Sequence, residues 1–512
     1  MLKCPNCFSD RIQSRGSTAA GSSRFQCREC HKWTTEPIDS EDVSSVVKKD
    51  AVSEKLLSRK NKTFVITSAQ NATPIHSRFL ESLNVYCQEN DAELLTIPYR
   101  YKNPTSLWNS NNEGEDWWDH RLTPYFIDER SYLHSNCILL SDVKLQPTKQ
   151  NPLTGLHGFS RNESLVVGHP KIAMETVATH PGDMAKILIS TGSITLPNYT
   201  DSALGKRGNH HHSHGALVVE ADGEIFHMRH IQPSEDGSFI DLDREYTEYG
   251  SFAAPPAKAL VVGDLHHWFL DEDVDKAIFG KNGLIDTTEP EKVFLHDVID
   301  GFSICPYHQG DPFIKQGKHW YNKGSIHKEL SDFAEWFKER QDNREYVIVA
   351  SNHHDWLQKW IKEADWRNDP ENAEFYLETA LYLTRNTHFG PGGVNTPDAF
   401  KYWIERLIEN ITVLEPDDSY MVGDTECGYH GHLGPNGSRG SLASMEKIGP
   451  KVVHGHVHSP GVRNGATAVG VSTRLNLNYT SGPSSWLQSH AVIDSKGKTK
   501  LINTIAGRFR RR

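Results

Sequence analysis

Short apolar runs, mostly β-branched, recur along the chain and alternate with stretches whose apolar positions repeat about every 3.6 residues. Runs at residues 63–67, 186–191, 259–263, 292–296, 346–350 and 451–454 are too short for buried helices and predict strands. Between the first of these and a further strand at 92–99, residues 77–90 set Phe79, Leu80, Leu83 and Cys87 on one helical face, a β-α-β order. Strands are also predicted at 138–143, 215–222 and 224–231, the last two joined by a hairpin at Ala221-Asp222-Gly223. Helical spacing returns at 326–341, 371–386 and 397–410, and a closing hairpin turns at Ser495-Lys496-Gly497.

This pattern predicts an α/β protein in four segments. Residues 1–35 form a cysteine module and 36–60 a polar linker; 61–255 form an α/β domain to which no chemistry is assigned. Residues 256–512 form a second α/β domain with a helical insertion at about 356–412, offering a cap or a homo-oligomer surface. A chain of 512 residues, 37% hydrophobic and 24% charged, is ordinary globular material. No apolar run approaches the ~20 residues of a membrane span, and the N-terminus lacks an apolar h-region. The expectation is therefore a cytoplasmic protein with no membrane partner. The formal net charge of −11 argues against a uniform polyanion-binding surface, but leaves room for a local one that bound cations would assist.

Cysteine usage sharpens the picture. Of eight cysteines, Cys4, Cys7, Cys27 and Cys30 form two C-x-x-C pairs with the spacing of a four-thiolate structural Zn²⁺ site, and the others are single, as in a reducing compartment. Arg24, Arg28, Lys32 and Trp33 interleave basic and aromatic groups, which suits nucleic-acid contact, although protein docking is an equal use of such a module. It resembles the zinc ribbons of transposases and transcription factors. The tract His210-His211-His212-Ser213-His214 is taken as a loop entering a strand, because no acidic or thiol set accompanies it. The basic end, Arg508 to Arg512, is taken as a solvated terminus.

The last segment carries the chemistry, since each of its strands runs into the same few polar residue types. Asp264 and His266 follow the first strand, Asp297 and Asp300 the second, and Asn352 and His353 the third. His430 and His432 follow a short run at 421–424, and His456 and His458 follow the last strand. Open α/β sheets gather sites at the carboxyl ends of strands, so these groups are predicted to converge. Asp, Asn and His together suit Mn²⁺, Fe or Zn²⁺ rather than Ca²⁺. Asp297 can bridge two cations, and two cations ~3.5–4 Å apart clamp both oxygens of a phosphoryl displacement. A His held by an Asp would supply the proton for the leaving oxygen. For any one of the 28 histidines a buried, hydrogen-bonded structural role competes; for five groups in order it does not.

The order D-x-H, D-x-x-D-G, N-H, H-G, G-H-x-H across residues 258 to 505 resembles the calcineurin-like metallophosphoesterases. The resemblance implies a four-layer α/β/β/α sandwich. It implies one metal on Asp264, His266, Asp297 and His458, and another on Asp297, Asn352, His430 and His456. His353 would be the general acid or phosphate contact, oriented by Asp300. The cations would be Mn²⁺ first, with Mg²⁺ or Fe as alternatives. His430 is preferred to His432 because the family ligand is usually followed by Gly, and His454 is expected to support the ligands from behind. His296 and Ser351 stand where the family usually has Gly, and the acidic residue expected after the third-motif His is displaced to Asp355. Phe302 replaces an Arg common in protein phosphatases, which argues against a phosphoprotein phosphatase. Joined to a zinc ribbon, such a centre suggests a metal-dependent DNase with DNA as its partner, similar to the SbcD-type repair nucleases. Residues 66–76 and 187–200 look like the early DNA-degradation proteins of T-five-like phages, which would place the protein in a host cytoplasm. The alternative is a phosphomonoesterase acting on nucleotides or other small phosphates. A binding protein with a vestigial site is disfavoured, because no ligand position is lost.

Overall fold

Alternation along three short strands builds the centre of the molecule. Leu260, Val293, Leu295, Tyr346 and Ile348 enter one core, while Ala259, Val261, Phe294 and Val347 enter another on the opposite face. A sheet buried on both faces needs continuous apolar runs, which is why these strands show no polar alternation. In this computed structural model the six-stranded sheet runs in the order Thr412–Val413, Glu345–Ile348, Lys292–Leu295, Ala259–Val261, Ser489–Ile493, Thr499–Asn503. The first four are parallel and the closing hairpin is antiparallel. The structure describes residues 11–17, 23–29, 31, 33–34, 62–101, 117–160, 163–180, 183–308, 310–477 and 481–511.

Helices cover one face of that sheet. In Ile326–Lys338 the hydroxyl of Ser325 caps the first turn by accepting from Lys328 N–H, and Ile326, Leu330, Phe333, Ala334 and Phe337 line one buried stripe. Fully burying a Phe contributes roughly 1.5–3 kcal/mol, so this stripe anchors the helix. Leu357, Phe375, Phe400 and Trp403, from the helices Asn352–Glu363, Ala373–Asn386 and Ala399–Leu407, share the same core. The helical stretch expected as an insertion thus packs on the sheet.

On the other face lies a ten-stranded mixed sheet that draws on both sides of residue 255. Its order is Met421–Val422, Thr425–Glu426, Lys451–His454, Ala466–Ala468, Gly461–Arg463, Ala173–Val177, Lys186–Ser190, Ser164–Val167, Cys137–Leu139, Ser131–His134. The join is antiparallel, with Val462 opposite Met174 and Arg463 opposite Ala173. A four-stranded sheet, Ile225–Ile231, Ala216–Asp222, Thr63–Gln70 and Ala92–Tyr99, carries the helix Ser77–Glu89, whose Phe79, Leu80 and Leu83 pack on Val65 and Val218. Leu217, Val219 and Phe64 from this sheet meet Val261 and Phe294 in the shared core. The histidine tract ends the helix Ala203–His210 and leads into the strand Ala216–Asp222, with His212 Nε2 2.8 Å from the Thr195 carbonyl.

At the N-terminus, Ile12–Ser17, Ser23–Cys27 and Trp33–Thr34 form a three-stranded antiparallel sheet. Cys27 is buried, and the Arg24 guanidinium lies 4.3 Å from the Trp33 ring. Cys4, Cys7, Cys30, Lys32 and the linker at 36–60 lie outside the described residues. No helix among the described residues is long and apolar enough to cross a membrane.

Candidate metal centre

Beyond the ends of Ala259–Val261 and Lys292–Leu295 the two strands stay paired as loops. Leu265 N–H donates to His296 O at 2.9 Å, His266 N–H to Asp297 O at 2.7 Å, and His267 N–H to Val298 O at 3.1 Å. This ladder fixes the D-x-H loop against the D-x-x-D-G loop. On its other side Asp264 N–H donates to Gly470 O at 3.0 Å, and Ser472 N–H returns to Asp264 O at 2.8 Å. His266, Asp297, His456 and His458 all adopt left-handed backbone, with φ of 41°, 43°, 71° and 55°. Such conformations cost non-glycine residues of order 1–3 kcal/mol each and persist where the surroundings over-determine them, as this ladder does for His266 and Asp297.

The loops bring the expected side chains together. Ligand atoms of Asp264, His266, Asp297 and His458 lie within 4.8 Å of one another, as do those of Asp264, His296 and His430, and of His266, Asp300 and His353. His458 Nε2 is 3.0 Å from Asp264 Oδ2, and His430 Nε2 is 3.0 Å from Asp297 Oδ2. His456 N–H donates to Asp264 Oδ2 at 2.8 Å, and its ring centre is 5.3 Å from that of His430. Gly455 is required beside them, because a Cβ there would sit 2.1 Å from Asp264 Oδ1. Asn352 opens the helix Asn352–Glu363, and its Oδ1 is buried without a hydrogen bond. The His432 ring centre lies 5.5 Å from that of His430 and 6.3 Å from that of His456, and its Nε2 is 3.4 Å from the Asp355 carboxylate.

Around these groups lie contacts that motif spacing does not convey. The Asp300 carboxylate lies 3.3 Å from His266 Nδ1, whereas His353 Nδ1 donates to the Asp300 backbone carbonyl at 2.6 Å. The His353 ring is steadied by Trp356, with ring centres 4.2 Å apart. His296 is wholly buried, with Nδ1 3.2 Å from His430 Nδ1. Its only sequence signal is a histidine directly before Asp297, at the end of a buried strand. His454 is buried behind the site, its Nδ1 donating to Gly455 O at 2.9 Å.

Burial should push the carboxylates up, but the charge of His430, with His353 nearby, holds Asp297 well below the usual range. His430 and His458 do the same for Asp264 against its burial, and His266 for Asp300. Burial lowers His430, yet Asp297 and Asp264 reverse this and leave it raised. Burial holds His296 down to about 3, and His454 and His456 to about 4, so these rings are neutral donors of a lone pair near neutral pH. Asp264 Oδ1 and both Asp297 oxygens make no aligned hydrogen bond. Leaving buried anionic oxygens unsatisfied is costly, and divalent cations would satisfy them. The donor set of carboxylate, imidazole and amide suits first-row divalent ions.

The mixed α/β scaffold and this buried Asp/His cluster define a protein whose site is consistent with a binuclear metal centre. The chain is 31% identical over 475 residues to Protein A1 of Escherichia phage T5, an alignment spanning 88% of this chain and 83% of that protein, and it belongs to that protein's family. No family model matches the chain.

Proposed function

We propose that the protein is a two-metal phosphoesterase of the calcineurin-like kind that hydrolyses phosphodiester bonds in DNA. The observation that carries the reading is the pair of buried carboxylates, Asp264 and Asp297, with unsatisfied oxygens and His266, His430 and His458 around them. Asp264, His266, Asp297 and His458 would hold one divalent cation, and Asp297, Asn352, His430 and His456 the other. When bound, such a pair supplies Lewis acidity and a water of lowered pKa. The chain's own residues do the rest. Asp300 orients His266 through its carboxylate. With its Nδ1–H committed to the Asp300 carbonyl, His353 carries at Nε2 the proton it passes to the leaving oxygen. The two helix-covered and sheet-covered faces of the central sheet fit the layered sandwich of such enzymes.

DNA is favoured over a small phosphate by the N-terminal module. We place a structural Zn²⁺ on Cys4, Cys7, Cys27 and Cys30. Glu29 N–H donates to Cys27 Sγ at 3.4 Å, a bond that favours a thiolate. Arg24 and Trp33, stacked and exposed beside it, with Arg28 and Lys32, would add a backbone contact. The test is incubation of the purified protein with Mn²⁺ or Mg²⁺ and plasmid, linear or single-stranded DNA, beside p-nitrophenyl phosphate and its bis ester. Cleavage of DNA and the bis ester is expected. Turnover of the monoester alone would establish the phosphomonoesterase reading instead.

A further inference from the structure

The two loops that carry the metal-site residues also build a groove beside it. Trp268 follows His266 by two residues, Phe302 follows Asp300 by two, and the rings of Phe269 and Phe302 pack edge to face at 5.6 Å. Across from them lies the helix Pro312–Trp320, and between them is a groove of about 480 Å³ lined by Trp268, Phe302, Phe313, Lys318, Tyr321 and Lys323. Lys323 Nζ sits 3.8 Å from the Trp268 ring centre and Lys318 Nζ 5.0 Å from that of Phe302. Tyr307, Phe313, Trp320 and Tyr321 are each at least 70% exposed. So many bare rings within fifteen residues leave apolar surface in water that a monomer ordinarily buries, the mark of a surface that meets something.

The charge of this patch identifies what it meets. Residues 310–324 carry Lys315, Lys318 and Lys323 against a single acid, in a chain whose net charge is −11; Lys318 is buried with its Nζ donating to the Ser303 carbonyl at 3.2 Å, which leaves Lys323 in the groove and Lys315 exposed on the adjoining helix. That acid, Asp311, is consumed as the helix cap, accepting from Phe313 N–H at 2.9 Å and Ile314 N–H at 3.1 Å. Exposed rings beside Lys323 and Lys315 match an unpaired polynucleotide, with bases on the rings and phosphates on those two ammonium groups. A duplex hides its base faces and could use only the lysines.

We infer that this groove binds an unpaired DNA strand by stacking bases on Phe313 and Tyr321, and so delivers single-stranded DNA to the adjoining centre. The inference rests on the DNA reading above and names the form of DNA that the site accepts. The test is fluorescence anisotropy of a labelled single-stranded oligonucleotide with the full-length, Mn²⁺-loaded protein, wild type against Phe313→Ala/Tyr321→Ala, with Phe313→Trp/Tyr321→Trp as the conservative pair. The alanine pair should weaken binding about tenfold or more, and the tryptophan pair should retain it. On cleavage, the ratio of kcat/KM for single-stranded DNA to that for the bis ester should fall to a similar extent in the alanine pair. Undiminished binding by the alanine pair, or equal loss on both substrates, would overturn the inference. A wild-type dimer that the alanine pair dissolves would overturn it in favour of a second copy as occupant. Stacking-dependent binding without any cleavage would instead sink the nuclease reading and leave the groove assignment standing.

Discussion

At the scale of single residues, the site combines groups that could hold ions with groups that hold those groups in place. On the proposed reading His353 passes the proton, so replacing it with Ala should lower DNA hydrolysis by roughly 10²–10⁴-fold, with Mn²⁺ content unchanged. Unaltered rates would remove it from the proton path. His296 acts through His430. With His430 Nε2 facing Asp297, the Nδ1 of the same ring meets His296. His296→Ala should therefore weaken Mn²⁺ affinity roughly 10–100-fold, measured by metal titration, while His296→Gln should recover part of it. Equal affinity in all three proteins would make His296 mere packing. The residues gathered in the cluster were legible because metal chemistry admits so few side-chain types at strand ends. The division of labour within Asp300 was not. The family resemblance implied that it orients His353, but a motif cannot say that its carboxylate lies by His266 while its backbone carbonyl takes His353.

At the scale of elements, the turn after Lys451–His454 shows how closely the loops are fitted. Gly455→Ala would drive a methyl group into the Asp264 carboxylate. The strands around it are buried on both faces and should survive, so the expected result is an unchanged far-ultraviolet circular dichroism spectrum with a strongly reduced affinity for Mn²⁺. Wild-type affinity in that variant would mean that the loop shifts freely. The buried central strands were legible from β-branched runs, and the helix Ile326–Lys338 from its apolar stripe. Thr425–Glu426 and Ala466–Ala468 were not, since two or three residues display no period.

At the scale of the whole molecule, the join of Gly461–Arg463 to Ala173–Val177 makes the middle segment part of the site's support. Pairing between strands nearly 300 residues apart leaves no local signature, so sequence patterning divided what the sheets unite. Residues 256–512 produced alone would expose Val261, Phe294 and Val453, and should be insoluble or unable to bind Mn²⁺. A soluble fragment with full affinity would show the join to be dispensable. Burial also sets a pH dependence. His169 and His490 are held down to about 3 and His230 to about 4 by burial, so they stay neutral in the fold. Once pH falls below about 6.5 the unfolded chain takes up protons that the fold refuses, so stability is full above that value and declines toward pH 4. Each such group contributes up to about 1.4 kcal/mol per pH unit. The metal-stripped protein should melt lower at pH 5.5 than at pH 7.5, and His490→Gln should flatten the slope; equal melting temperatures would contradict this.

The central claim is that Asp297 joins two cations in one hydrolytic centre. Its most direct test is electron paramagnetic resonance of the stripped protein during Mn²⁺ titration, with cleavage of DNA followed on the same samples. The wild type should take up two Mn²⁺ per chain, develop an exchange-coupled signal expected of ions ~3.5–4 Å apart, and gain nuclease activity as that signal grows. Asp297→Asn should lose the coupled signal and the cleavage together. Full cleavage with a single uncoupled ion, or in the Asn variant, would contradict the account.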